Sequence, residues 1–374
     1  MSDTDPIRVC HFIPSLHPGG AENVLLSLVE NSSDPGVSYT VCHLLSADGL
    51  ADELREAGAT VVGFGGSSPF DPRAILRAYN HFHSTEYDVL HCHLPPIYHL
   101  GRTMARLSGI DSVVSTHHAV ADNYHPVFRA LERRTRRFDD LTIAYTQSAK
   151  ETFDIRPGDQ WDVVYNGIDV NGFRSNVENA DPQAVRDRRG IDEDDLVFVN
   201  VARYAESKSQ TDIVEAMDTV IDQVPEAKLL LVGSGGPLED DLRNQVTELG
   251  LEDNVFVTGY VDSVYDYYAI ADAFVVTYAD TVRGFGVVIL EAMASELPVV
   301  ATDTPGVRRV VDDGVMGYTV PPHDSDQLAD RLIELSSDDR RETMGENGYE
   351  MVSETYDVDR MVGRYESSYR DLSS

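Results

Sequence analysis

Short apolar runs alternate with helix-length segments along almost the whole chain, and this alternation constrains the fold more than any single motif. Ile7 to Phe12 (IRVCHF) leads through a loop with Pro and Gly into the helical pattern of Ala21 to Leu28. Strand-like runs recur at Thr40 to Leu45, Thr60 to Phe64, Asp88 to His91, Ser112 to Ser115 and Leu141 to Tyr145. A second series occupies Leu196 to Val201, Lys228 to Val232, Asn254 to Thr258, Ala273 to Thr277, Pro298 to Ala301 and Tyr318 to Val320. Strands that alternate with helices pair in parallel, because each crossover helix has to return over a face of the sheet. The fold class is therefore α/β, with two doubly wound parallel sheets, and 374 residues suffice for two cores.

Between the series, Asp159 to Asp195 turns polar and carries Gly, Asn and Pro, which predicts the connection between domains. The last segment, Asp357 to Leu372, has Val358, Met361, Val362, Tyr365 and Tyr369 at helical spacing and reads as an amphipathic helix. Open parallel sheets bind ligands at the carboxyl ends of their strands, where the strand order reverses. Two in tandem are expected to face each other across a cleft.

The chain has 64 acidic against 30 basic residues, a formal net charge of -34, which argues against nucleic acid as a partner. Only Lys150, Lys208 and Lys228 are lysines, and the other basic residues are arginines. This balance fits a cytosol at very high salt, where the Debye length falls to about 3 Å and dense surface carboxylates serve solubility. Three cysteines, Cys10, Cys42 and Cys92, form no disulfide framework and suit a reducing compartment. No apolar run is long enough to cross a bilayer, and the acidic start MSDTD differs from the basic start of a signal peptide, so a cytoplasmic location is expected.

Several loops at strand ends carry chemistry. Pro14 to Glu22 (PSLHPGGAE) places Gly19 and Gly20 where backbone can approach a ligand at a helix N-terminus, although a Gly pair also serves simply to turn a chain. Leu229 to Pro237 (LLLVGSGGP) puts Gly233 and Gly235 in a comparable turn, open to phosphate or base. Val199 to Lys208 (VNVARYAESK) presents Arg203 and Lys208 after a strand, the pair of cations that a nucleotide diphosphate requires, or else ordinary surface charge. Gly284 to Ile289 (GFGVVI) lacks the third glycine of a dinucleotide fingerprint, which counts against a nicotinamide enzyme. Glu291 follows inside an otherwise apolar helix, where a carboxylate needs a structural partner or a ligand. Asp88 to Leu94 (DVLHCHL) and Ser115 to Ala119 (STHHA) gather histidines; without acidic or cysteine ligands at motif spacing they read as hydrogen-bonded scaffold rather than a metal site.

Taken together, GGAE at Gly19 to Glu22, DVLHCH at Asp88 to His93, STHH at Ser115 to His118, NGID at Asn166 to Asp169, Arg203 with Lys208, VGSGG at Val232 to Gly236, RGFGVVILEAMA at Arg283 to Ala294 and DGVMGYTVPPHD at Asp313 to Asp324 resemble glycosyltransferase family 4 over nearly the full chain. That resemblance implies the GT-B fold, with a first Rossmann-like domain over residues 1–175, a donor-binding domain over 176–355, and residues 356–374 crossing back to the first. It implies a retaining transferase that moves a hexose-type sugar from a nucleotide diphosphate to a saccharide or lipid-linked acceptor, with no metal and no cofactor beyond that co-substrate. The implied catalytic set is His118, beside the transferred sugar, with Arg203 and Lys208 on the diphosphate. The implied donor-binding set is Gly19, Gly20, Gly233, Gly235, Arg283, Gly284, Phe285, Gly286 and Glu291, the last on the ribose hydroxyls.

Two positions depart from the family pattern: Arg283 stands where a second glutamate is usual, and Gly306-Val307-Arg308-Arg309 replaces Gly-Val-Pro-Glu. Arg283 and Arg309 would suit an acidic donor sugar such as a hexuronate. A nucleotide-sugar binding protein without turnover and a sugar-nucleotide epimerase on the same fold stay open as alternatives. Finally, Arg129, Arg133, Arg134, Arg136 and Arg137 crowd one predicted helix (RALERRTRR), which is expected either to rest weakly on anionic lipid at the inner membrane face or to pair with neighbouring carboxylates.

Overall fold

A computed structural model describes residues 5–121, 124–233, 235–279 and 285–373. The chain divides into two compact units, Met1–Gly167 with Val358–Ser374, and Ile168–Asp357.

The first unit contains β1 (Ile7–Ile13), α1 (Gly20–Glu30), β2 (Val37–Leu45), α2 (Ala51–Glu56), β3 (Thr60–Gly66), α3 (Pro72–Ser84), β4 (Val89–His93), α4 (Ile97–Ser108), β5 (Ser112–His117), α5 (Pro126–Thr135), β6 (Leu141–Ala144), α6 (Gln147–Glu151) and β7 (Trp161–Val163). Its seven strands lie in the order β3-β2-β1-β4-β5-β6-β7, and every neighbouring pair is parallel. Successive side chains of β1 serve opposite faces, as strand geometry requires. Val9 and Ile13 join one core layer with Leu25 and Leu28 of α1. Cys10 and Phe12 join the other with Ala78 and Phe82 of α3.

The second unit contains α7 (Val170–Glu178), α8 (Pro182–Arg189), β8 (Leu196–Val201), α9 (Gln210–Gln223), β9 (Ala227–Val232), α10 (Glu239–Leu249), β10 (Val255–Gly259), α11 (Tyr265–Ile270), β11 (Ala273–Val276), α12 (Val287–Ala294), β12 (Val299–Thr302), β13 (Gly317–Val320), α13 (Ser325–Glu334) and α14 (Asp338–Thr355). Six parallel strands follow the order β10-β9-β8-β11-β12-β13. Phe198, Leu229, Leu231 and Val275 of the sheet pack with Ile213 and Met217 of α9 and Leu332 of α13. The chain then returns to the first unit as α15 (Val358–Leu372), which buries Val358, Met361, Val362, Tyr365 and Tyr369 in the layer that holds Val9 and Ile13. The expected amphipathic helix is therefore present, with its apolar stripe on the first sheet.

The stretch from Asp159 to Asp195 is more regular than its composition indicates. It holds β7 and two helices, α7 and α8, whose starts are capped by Asp169 and Asp181, with Pro182 in the first turn of the latter. In both sheets the order reverses beside the first strand of the unit, between β1 and β4 and between β8 and β11. The carboxyl ends of those strands are where a ligand is looked for.

Candidate functional site

In the second unit, β8 ends at Val201 and the next residues, Ala202 to Tyr204, are clamped from below and from the side. The buried Tyr204 hydroxyl donates to the Leu231 carbonyl at 2.7 Å and accepts from the Gly259 amide at 3.1 Å. The glycine turn after β9 presses on the same segment. A Cβ at Gly233 would lie 1.9 Å from the Ala202 carbonyl oxygen, and one at Gly236 only 1.5 Å from that of Tyr204. Gly233 and Gly235 also have φ of +151° and +73°, conformations that L side chains rarely adopt. These glycines thus shape the platform under Arg203. Gly236→Ala is expected to cost at least about 2 kcal/mol of stability, because the obstacle is backbone and does not yield; chemical denaturation measures it.

Arg203 is exposed on this platform, and its carbonyl accepts from the Gln210 side chain at 3.1 Å. Lys208 is half-buried at the end of a short 3-10 turn, Glu206–Lys208. Thr277, just past β11, donates its hydroxyl to the Lys208 carbonyl at 2.7 Å, so the two strand ends at the switch point are tied together. The Lys208 ammonium sits 4.5 Å above the Tyr278 ring. Burial pushes its pKa down from the ordinary lysine value, and the nearby charge of Arg203 adds to that. Among the described residues neither Arg203 nor Lys208 has a carboxylate partner, although acidic residues outnumber basic ones 64 to 30.

Tyr278 continues the site. Burial pushes its pKa up to about 12, so it stays a neutral hydroxyl, and it accepts the Gly286 amide at 2.9 Å. A Cβ on Gly286 would come within 2.8 Å of that hydroxyl and 4.0 Å of the Lys208 Nζ. The Gly286 amide, expected to face the donor, is therefore engaged with Tyr278, and the ammonium lies beside it. The Phe285 ring meets Tyr356 edge-on at 5.8 Å. Arg283 and Gly284 lie outside the described residues. Glu291, in the second turn of α12, accepts a hydrogen bond from the Tyr268 hydroxyl at 2.9 Å. Burial raises the pKa of Glu291, and the Tyr268 bond opposes this without cancelling it. Two pairs thus stand at this end of the sheet: Lys208 over the Tyr278 ring, and Glu291 held by Tyr268. The two tyrosines were not apparent from the sequence; each gains its meaning only from the partner the fold gives it.

In the first unit, Gly19 caps α1 with extended backbone, and a Cβ on Gly20 would meet open space. His118, half-buried just past β5, bonds through Nε2 to Nδ1 of His93 at 3.0 Å. His93 Nε2 bonds to His11 Nδ1 at 2.9 Å. His91 bonds to the hydroxyls of Tyr369 and Thr116, both at 2.7 Å. The rings of His11, His91 and His93 come close enough to share an ion, but these bonds occupy five of their six nitrogens. His117 is separate: it is buried with Glu132, whose carboxylate binds Arg102.

The arginine-rich segment is not one uniform basic face. Arg136 is buried, stacks on Trp161 and binds Asp159, so it is removed from any contact with lipid. Arg133 pairs with Asp154 at 2.8 Å, and Arg137 lies over Phe138.

Residues 181–351 match the family model described as glycosyl transferases group 1, and residues 18–171 match glycosyltransferase family 4. A GDP-mannose-dependent alpha-(1-6)-phosphatidylinositol monomannoside mannosyltransferase of Mycobacterium tuberculosis is 31% identical over 275 residues, covering 70% of each chain. A phosphatidyl-myo-inositol mannosyltransferase of Mycobacterium leprae is 28% identical over 331 residues, covering 86% of this chain and 85% of that one. Among solved structures, Anabaena Alr3699/HepE in complex with UDP superposes with a TM-score of 0.83 at 22% identity, covering 98% of this chain and 100% of the other.

Proposed function

Since the chain belongs to glycosyltransferase family 4, the group 1 transferases with the GT-B fold, we propose that it transfers a hexose-type sugar, with retention and without a metal ion, from a nucleoside diphosphate to a saccharide or lipid-linked acceptor. The observation that carries the donor half of this reading is the pair Arg203 and Lys208, two cations without carboxylate partners among the described residues of a chain of net charge -34. Leaving an ammonium half-buried and unpaired is costly, and a diphosphate is the ligand whose charge repays it. Glu291, held by Tyr268, takes the ribose hydroxyls. His118 is the group beside the transferred sugar, and Gly19 and Gly20 form the first unit's side of the donor site, with open space at Gly20.

In this reading the bond from the anomeric carbon to the diphosphate oxygen breaks first, and negative charge grows on the leaving group. Arg203, Lys208 and the N-terminus of α12 stabilise that charge in place. The acceptor hydroxyl adds from the face the diphosphate has left, and its proton passes to a diphosphate oxygen. Product and donor then share one anomeric configuration. In this reading the reaction runs in a high-salt cytosol, and Arg129, Arg133, Arg134 and Arg137 are the exposed basic residues of that segment that would meet an anionic membrane surface. Arg309, exposed after β12, is the described member of the pair that would suit a hexuronate.

A thermal-shift panel of nucleotide sugars in high salt tests the donor assignment, because a ligand that binds only the native state raises its stability. One nucleotide sugar is expected to raise the melting temperature of the wild type. Glu291→Gln should lower affinity for that donor about tenfold, through the loss of charge-assisted bonds to ribose. A panel in which no nucleoside diphosphate sugar shifts the wild type sinks the reading.

A further inference from the structure

His11, His93 and His118 are joined in series, and the bonds leave one nitrogen at each end: Nε2 of His11 and Nδ1 of His118. The inner end is sealed, for His11 is fully buried and its Nε2 has no partner among the described residues. The outer end belongs to the half-buried His118. The series exists because β1 and β4 are neighbours in register, which sets His11 opposite His91 and brings His93 onto the same face. All three rings are neutral at ordinary pH, burial holding His11 and His118 down at about 3 and His93 well below its usual value.

A neutral imidazole carries one N–H, and each bond between two rings needs exactly one hydrogen. Only two arrangements satisfy both bonds. Either every ring carries its hydrogen on Nδ1, or every ring carries it on Nε2; any mixture leaves one bond with two hydrogens or none. We propose that His11 and His93 are positioning residues that lock His118 in a single tautomer shared by all three rings. This rests on the reading of His118 as the group beside the transferred sugar. The consequence is that His118 meets a sugar oxygen or hydroxyl as a fixed donor or a fixed acceptor, and changes role only if two buried rings change with it. His91 is outside the series, since its nitrogens serve Tyr369 and Thr116.

Two-bond proton–nitrogen correlation spectra of the full chain, labelled with nitrogen-15 histidine, read the tautomer of each ring directly. His11, His93 and His118 are expected to show the same tautomer. In His93→Phe, His118 should become a mixture of both, and in His91→Phe, which disturbs the same core, it should stay as in the wild type. Wherever a donor and acceptor are in hand, kcat in His93→Phe should fall about tenfold with the donor KM within about twofold, the loss of one aligned hydrogen bond. Different tautomers at His93 and His118 in the wild type, or an unchanged His118 in His93→Phe, would overturn the proposal. So would one equivalent of Zn²⁺ that shifts the His11, His91 and His93 signals together, which would make the cluster a metal site. None of the spectra depends on turnover, so an enzyme inactive with every sugar leaves this test intact and counts only against the functional reading.

Discussion

Replacing Lys208 by alanine is expected to lower sugar transfer about 10²- to 10³-fold, the usual loss when one fixed group on a developing negative charge is removed. The fold should tolerate the change. No carboxylate among the described residues depends on Lys208, and burial already disfavours its charge. Arginine is not expected to rescue it, because a planar fork does not occupy the place of a compact ammonium held 4.5 Å over the Tyr278 ring. Binding gives a second readout. The pKa of Lys208 is depressed in the free protein, and an arriving diphosphate raises it. At alkaline pH, between the depressed and the bound value, binding must therefore take up a proton. Titration calorimetry in buffers of different ionisation enthalpy measures this uptake, which Lys208→Ala should abolish. Transfer rates within threefold of the wild type would remove Lys208 from the site.

The largest effect on stability is expected at Arg102, on α4. Its side chain is 0% exposed and binds Glu132 at 2.6 Å and Asp139 at 2.5 Å, whose side chains are 3% and 2% exposed. Burial alone would push the guanidinium toward neutrality, and Asp139 with Glu132 more than offsets it. Arg102→Met takes from the buried Asp139 the cation it is paired with, leaves Glu132 only His117 and the more distant Arg136, and should cost about 3 to 5 kcal/mol. Arg8→Ala removes an exposed pair with Glu86 and Asp88 and should cost no more than about 1 kcal/mol. Denaturant midpoints of the two variants make the comparison, and equal losses would show that the Arg102 cluster contributes no more than surface charge.

The fold was legible because parallel strands buried on both faces read as unbroken apolar runs, and the two sheets contain every strand named from those runs. The elements missed are those that packing hides. Strand β7 is three residues, all half-buried, with no run to see. Helix α8 buries only Val185, although Asp181 and Pro182 spell its start. Arg203, Lys208 and Glu291 could be singled out because charge after a strand, or inside an apolar helix, demands a reason. Tyr268, Tyr278 and His11 could not, since their roles depend on partners far away in sequence: His11 and His93 meet only through the register of β1 and β4. The same ignorance of neighbours made Arg129, Arg133, Arg134, Arg136 and Arg137 look alike, when Arg136, in the 3-10 turn that follows α5, is a core residue.

The second unit leaves and re-enters the first at one spot. Ile168 pairs with Asp357, and the Ile168 amide bonds to the Tyr356 carbonyl at 2.9 Å. Residues 168–357 are in effect a cassette with its two ends already stapled, set into a host whose last helix arrives only after the insert is complete. During synthesis from the amino end, the first sheet must wait bare of α15 until residues 168–357 have been made, while the insert has all its parts in hand sooner.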